Sequence, residues 1–381
     1  MARPVVKTAL CDLLGIEYPI CLAGMGSRGK ATPPELVAAV SEAGGLGVIG
    51  GSGIPAPELR EIIRKVRTMT DKPIGVDLLL PAKLAEAPPT RSAVREELRQ
   101  KFPDHYAFVR KLMEQHKIPE AMVENDMVVS SGPSSGGPKT PHEEQVDVVL
   151  SENVQVFAAG LGDPSWVVPI ARKKGVTVMG LVGTVRNAQR QVKAGVDIIV
   201  TQGYEAGGHT GSIANFPLIP QVVDAVKPLP VIAGGGIPDG RGIDAELSLG
   251  AVGVWVGTAF LVSHECQIPE RSKEEILRGS SEDFVISRVY TGKTMRSFKN
   301  EIIKAWTESG LQPLPMPYQK IMMDDFNEAA ARAGRWDLRS NPGGQIAGMV
   351  KEHKPARQIM EELVESTVRA PHHVRNSVNV G

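Results

Sequence analysis

LPVIAGGGIPDGRGIDAELSLGAVGVWVGTAF, Leu229–Phe260, carries the pattern that decides the fold. Two short apolar runs, LPVIAGG (Leu229–Gly235) and VGVWVGT (Val252–Thr258), are separated by an amphipathic stretch, Arg241–Leu249. A run that is apolar throughout, rather than alternating, suits a parallel strand covered on both faces. Six more such runs precede this pair: Tyr18–Gly24, Leu46–Gly51, Pro73–Leu80, Val154–Gly160, Val176–Gly183 and Asp197–Gly203. Helical periodicity fills most of the gaps, at Pro33–Ala43, Ala56–Met69, Ser165–Lys174, Val185–Ala194 and Pro217–Val226. Glycine follows four of the helices, at Gly44, Gly175, Gly195 and Gly250, where a left-handed cap costs least without a Cβ. Eight strands with helices between them predict an α/β (βα)8 TIM barrel. A doubly wound open sheet is the runner-up, because order along the chain does not set order in space.

Two segments interrupt the rhythm. Residues 81–153 form an insertion after strand three, and its SSGPSSGGPKTP stretch, Ser130–Pro141, is expected to be a mobile loop flanked by helices. Residues 263–381 read as a C-terminal helical cap that ends in a frayed HHVRNSVNVG. The expected division is therefore a barrel built from residues 1–80 and 154–262, an insertion over 81–153 and a cap over 263–381.

The bulk composition narrows the function. Lys+Arg and Asp+Glu both number 43, so the whole chain has no net field to draw nucleic acid or an anionic membrane. Three widely spaced cysteines, Cys11, Cys21 and Cys266, suit a reducing compartment. No run is apolar enough for a signal peptide or a membrane span, so the expectation is a cytoplasmic protein with a small-molecule partner. A homodimer is left open.

Barrel enzymes carry their chemistry on the loops that follow the strands. AGGGIPDGRG (Ala233–Gly242) and VGTAF (Val256–Phe260) follow strands seven and eight, where (βα)8 barrels bind phosphate. Glycines there allow backbone N–H groups to approach phosphate oxygens, and a following helix N-terminus adds its dipole. QGYEAGGHTG (Gln202–Gly211) follows strand six and frames His209 with glycines that admit a flat ligand. An imidazole exchanges protons near neutral pH, which suits an acid or base beside a redox ring. His372 and His373 have no acidic or thiol partners nearby in sequence, so they do not form a metal motif. GMGSRG (Gly24–Gly29) fits the dinucleotide fingerprint, but the second strand ends in GGSG (Gly50–Gly53) without the acid that a ribose requires. No cysteine follows AGGGIPDG, which disfavours a thiolate-driven barrel dehydrogenase.

Together, AGGLGVIGG (Ala43–Gly51), GVDLLLP (Gly75–Pro81), QGYEAGGHTG, PVIAGGGIPDGRG (Pro230–Gly242) and GAVGVWVGTAF (Gly250–Phe260) closely resemble the nitronate monooxygenase family. YTGKTMRSFKN (Tyr290–Asn300) and PGGQIAGMV (Pro342–Val350) extend the resemblance into the tail. The resemblance implies FMN as cofactor, and oxidation of alkyl nitronates by molecular oxygen to a carbonyl compound and nitrite. It implies His209 as the catalytic residue, with Gln202 and Gly207 contacting the flavin. It also implies a phosphate cradle of Gly235, Gly236, Val256, Gly257 and Thr258, and a first loop, Ala23, Gly24 and Met25, beside the ring. Asp77 stands where the family usually has a flavin-contacting asparagine. An ionised aspartate only accepts hydrogen bonds, so a shift in flavin polarity or substrate preference is expected. Leu181 stands where some members carry lysine. The same motifs resemble flavin-dependent enoyl-ACP reductases, which use NADH or NADPH, and this is the alternative enzyme reading. A flavin-binding protein without turnover is the non-enzymatic alternative.

Overall fold

The computed structural model describes residues 5–26, 29–80, 90–124, 139–160 and 162–377, and, within the last helix, side chains up to Arg369. Eight parallel strands form one sheet: β1 (Ile20–Leu22), β2 (Gly47–Gly50), β3 (Ile74–Leu79), β4 (Val156–Gly160), β5 (Thr177–Val182), β6 (Ile198–Gln202), β8 (Val231–Gly234) and β9 (Gly253–Val256). Their order in space is β1-β9-β8-β6-β5-β4-β3-β2. The sheet then closes on itself. Leu22 N–H donates to Leu46 C=O at 2.8 Å, and Leu46 N–H donates to Ile20 C=O at 2.9 Å. That closure makes the (βα)8 TIM barrel and excludes the open doubly wound sheet.

The all-apolar strands are explained by two cores. Cys21, Leu46, Val48, Val156, Ala158, Met179, Ile198, Val200, Ile232 and Trp255 fill the barrel interior. Leu10, Cys11 and Leu14 of the helix Ala9–Leu14 pack into the same cluster, so this N-terminal helix plugs the floor of the barrel. Residues on the alternate positions of the strands, such as Ile20, Leu22, Val76 and Phe157, face the helices. The four glycines predicted as helix ends, Gly44, Gly175, Gly195 and Gly250, all have left-handed φ, between 69° and 98°.

A third core lies outside the barrel. Helices Arg91–Lys101 and Pro103–Gln115 from the segment between β3 and β4 pack against Val289, Trp306, Met323 and Phe326 from the C-terminal segment. Two ion pairs tie these pieces together, Arg91–Asp324 at 2.8 Å and Arg95–Asp325 at 2.8 Å. Helix Pro141–Ser151, by contrast, packs on the barrel through Val146, Val149 and Leu150. Ser130–Pro138 of the expected mobile loop lie outside the described residues.

The segment after residue 263 is not wholly helical. It contributes an antiparallel sheet of β10 (Phe284–Ser287) and β11 (Met295–Phe298), and β11 also pairs with β7 (Gly208–His209) on the loop after β6. The last helix, Ala356–Ser377, runs through His372 and His373, where the sequence suggested fraying. Ala356, Met360, Leu363 and Val364 pack into the core between sheet and helices. This helix lies against Gly240–Ser248 and Pro34–Glu42, and so takes the eighth helical position on the barrel wall. Among the described residues, no helix is long and apolar enough to cross a membrane.

Candidate active site

The sequence-predicted site residues lie at or beyond the carboxyl ends of the parallel strands, where a barrel presents its loops, except Asp77, which lies within β3 two residues before its end. After β1, Ala23 N–H donates to Val256 C=O at 2.9 Å, and the sulfur of Met25 sits close to Gly257. These contacts join the first loop to the end of β9. Gly24 touches β3 at Asp77: a Cβ placed on it would lie 2.3 Å from the Asp77 Cβ, so only glycine fits. Gln202 ends β6, and its Nε2 reaches towards Gly207 C=O at 3.4 Å. Gly235 and Gly236 hold φ of 97° and 72°, a turn that side-chain-bearing residues rarely adopt. A Cβ on Gly235 would also meet Ala206 at 2.8 Å, which places the β8 loop directly against the loop of His209. Leu181 on β5 packs at the margin of the barrel interior.

The helix after the β8 loop does not offer its first amides for the expected anion role. Its first amides are already taken: Gly240 N–H donates to Ser366 Oγ at 2.9 Å and Arg241 N–H to Asp239 Oδ1 at 2.9 Å. Ligand-facing donors must therefore come from the glycine loops and the end of β9. Thr258 is buried, and its Oγ accepts from Gly344 N–H at 2.9 Å. The hydroxyl hydrogen stays free to donate.

His209 is held by its backbone and its ring. Register pairs it with Met295 and pairs Gly208 with Arg296. The ring Nε2 lies 3.2 Å from Thr291 Oγ. That hydroxyl donates to Lys293 C=O at 3.1 Å and accepts from Lys293 N–H at 3.2 Å. With that hydrogen on Lys293 C=O, Nε2 of His209 carries the ring proton and Nδ1 is the basic nitrogen. Burial, and then the charges of Lys293 and Lys320, push the His209 pKa down to about 4. The imidazole is therefore neutral at physiological pH.

Asp77 is only 7% exposed, and its Oδ1 is buried without a hydrogen-bond partner. Burial raises its pKa to about 7, while the nearby Gly160 amide pulls more weakly the other way. Burial therefore favours the protonated form of this carboxyl, which donates as well as accepts, over the acceptor-only carboxylate. Glu246, under the β8 loop, is likewise pushed up to about 7 by burial and by Glu205.

Sequence reasoning overlooked several residues of this region. Arg296 is 2% exposed and supports the His209 loop from beneath: Nη2 donates to Tyr204 C=O at 2.8 Å and Nη1 to Phe284 C=O at 2.6 Å. Its guanidinium also lies over the Tyr204 ring, 4.5 Å from the centroid. Gly343 packs against Gly207, and Gln345 N–H donates to Glu205 C=O at 3.0 Å. Arg296 belongs to the tail motif KTMRSF, and Gly343 and Gln345 to PGGQ, whose lone internal arginine and paired glycines were the available signal. A hollow of about 370 Å³ lined by Leu13, Val223, Lys227 and Val252 lies at the opposite, amino-terminal end of the strands and takes no part in this arrangement.

The nitronate monooxygenase family model matches residues 7–366. The chain belongs to the nitronate monooxygenase family. A Mycobacterium tuberculosis protein named as a monooxygenase is 36% identical over 377 residues, 95% of this chain and 97% of its own. A Staphylococcus aureus protein named as a nitronate monooxygenase is 32% identical over 375 residues, 94% of this chain and 96% of its own. Among solved structures, nitroalkane oxidase from Streptomyces ansochromogenes matches with a TM-score of 0.79 and 26% identity, over 96% of this chain and 100% of that one. FabK from Thermotoga maritima matches with a TM-score of 0.75 and 29% identity, over 98% and 100%. This nitronate monooxygenase family member is thus a flavin-dependent oxidoreductase.

Proposed function

We propose that the chain oxidises alkyl nitronates with molecular oxygen, yielding a carbonyl compound and nitrite, with FMN as its flavin. The observation that carries this reading is the neutral His209 at the barrel mouth, with the positive fields of Lys293 and Lys320 upon it. A base and a cationic environment in one place suit a substrate that is an anion or becomes one on losing a proton.

The residues present fit FMN. Gly235 and Gly236 turn back at positive φ against Ala206 and Glu205 of the His209 loop, and Val256 and Gly257 adjoin the first loop at Ala23 and Met25. The two glycine loops make one monophosphate site, and the Thr258 hydroxyl would donate into it. Gly24, Asp77, Gln202 and Gly207 would border the ring, beside Val256. FMN, when bound, supplies the electron acceptor for the substrate and the contact with oxygen. Nδ1 of His209 takes the α proton from a neutral nitroalkane, while Nε2–H stays on Thr291 and fixes the ring. A preformed nitronate has no such proton to lose, and for it Lys293 and Lys320 provide attraction.

Reduction of an enoyl thioester by NADPH is the second reading, favoured by the likeness to FabK. One comparison separates them: oxygen uptake with propyl nitronate against NADPH oxidation with an enoyl thioester, using the same purified protein. Oxygen uptake alone is the expected result, and NADPH oxidation alone overturns the proposal. Heat should release FMN, and release of FAD would refute the monophosphate cradle.

A further inference from the structure

One polar group at the barrel mouth is not accounted for by proton transfer or phosphate binding. Asp77, two residues before the end of β3, faces Gly24 on one side and Gly160 on the other, with its Oδ1 3.2 Å from a Cβ built on Gly160. Its neighbours on β1 and β4 are glycines and apolar side chains. Gly51 N–H, beyond β2, is satisfied by the Asp77 main-chain carbonyl at 2.9 Å and not by the side chain. Among the described residues, no charged or titratable side chain of β1, β2, β4 or their loops acts on this carboxyl: burial raises its pKa and the Gly160 amide lowers it. The other titratable groups of the region, His209 and Glu246, belong to the β6 loop and to the helix after β8.

A carboxylate in such a place is costly, because the Gly160 amide replaces only part of the water it loses and Oδ1 has no partner among the described residues. A protonated carboxyl has one O–H donor and one carbonyl acceptor, the same pair that a carboxamide offers. Its unpartnered oxygen then needs a ligand that both gives and takes a hydrogen bond. The edge of an isoalloxazine ring, with alternating N–H and C=O groups, is such a ligand.

We propose that Asp77 is a positioning residue that holds the flavin as a neutral carboxylic acid, donating one hydrogen bond and accepting another, and that its ionisation weakens flavin binding. The inference rests on the flavin reading above and adds a proton to it: the flavin and one proton bind together. Above the pH at which free Asp77 loses its proton, each unit of pH then costs up to about tenfold in affinity.

The test titrates FMN fluorescence quenching with the full-length apoprotein between pH 7 and 9, where the FMN phosphate is already a dianion. Wild type should lose at least tenfold in affinity across that range. Asp77→Asn should bind throughout with less than a twofold change, and Asp77→Leu should bind weakly at every pH. Infrared difference spectra, wild type minus Asp77→Asn, should show a protonated-carboxyl C=O band in the apoprotein at pH 6 that fades by pH 8. Equal pH dependence in wild type and Asp77→Asn, or a missing infrared band, overturns the proposal alone. Failure of all three proteins to bind FMN at any pH overturns the flavin reading and this inference with it.

Discussion

Replacing Arg296 by methionine should release the loop that carries His209. The guanidinium makes charge-assisted bonds to Tyr204 C=O and Phe284 C=O and covers the Tyr204 ring, all with 2% exposure. Methionine fills much of the volume but leaves both carbonyls without their donors. Bonds to a charged group contribute roughly 1.5–3 kcal/mol each, and the cation–π contact up to about 2 kcal/mol. The desolvation that a buried cation suffers is relieved at the same time, so the net loss should be about 3 kcal/mol. Because the bonds join β10, β11 and the β6 loop rather than the barrel, opening should be local. The assay is amide hydrogen exchange: protection over residues 204–209 and 295–297 should fall by about a hundredfold, with the barrel strands unchanged. If opening became global, the unfolding midpoint would drop only about 4 °C, given a chain of 381 residues. Flavin should still bind while kcat falls. Unchanged protection over 204–209 would refute the idea that Arg296 holds this loop.

Four further outcomes follow from the same geometry. His209→Ala should lower turnover of a neutral nitroalkane by about two to four orders of magnitude and that of a preformed nitronate much less, and equal loss on both would refute the base role. With an imidazole pKa near 4, kcat/KM should carry no histidine limb between pH 5.5 and 8.5, so an inflection in that window that His209→Gln abolishes and Asp77→Asn spares would contradict the buried, neutral ring. Thr258→Glu should abolish flavin retention while the barrel keeps its circular dichroism, because the new carboxylate would face the phosphate; normal flavin content would show that the phosphate sits elsewhere. Asp77 carries a folded-state pKa of about 7 against 3.8 in the unfolded chain, so its penalty on the apoprotein grows as pH rises from about 4 and is complete above about 7. Asp77→Asn should accordingly gain up to about 4 kcal/mol over wild type at pH 8 and far less at pH 4.5, and a gain independent of pH in urea unfolding would exclude that titration.

The barrel was legible because its signals are local. A strand covered on both faces must be apolar throughout, and a helix that ends in a left-handed turn favours glycine, so Leu229–Phe260 and its six preceding counterparts announce eight βα units without reference to any contact. The carboxyl ends of those strands then locate Gly24, Gln202, His209, Gly235 and Thr258 by rule alone. Tertiary structure decided what depends on pairing between distant segments. The short strand at His209 exists because Met295 and Arg296 supply its backbone partners from nearly ninety residues away, and two residues by themselves leave no periodicity to read. The last helix joins the barrel wall across a long intervening segment, because the apolar stripe of Ala356–Val364 matches a gap that only the closed barrel creates. Protonation is the clearest case. An aspartate and a histidine look the same in any sequence, whereas burial at Asp77, and burial beside Lys293 and Lys320 at His209, favour the neutral form of each.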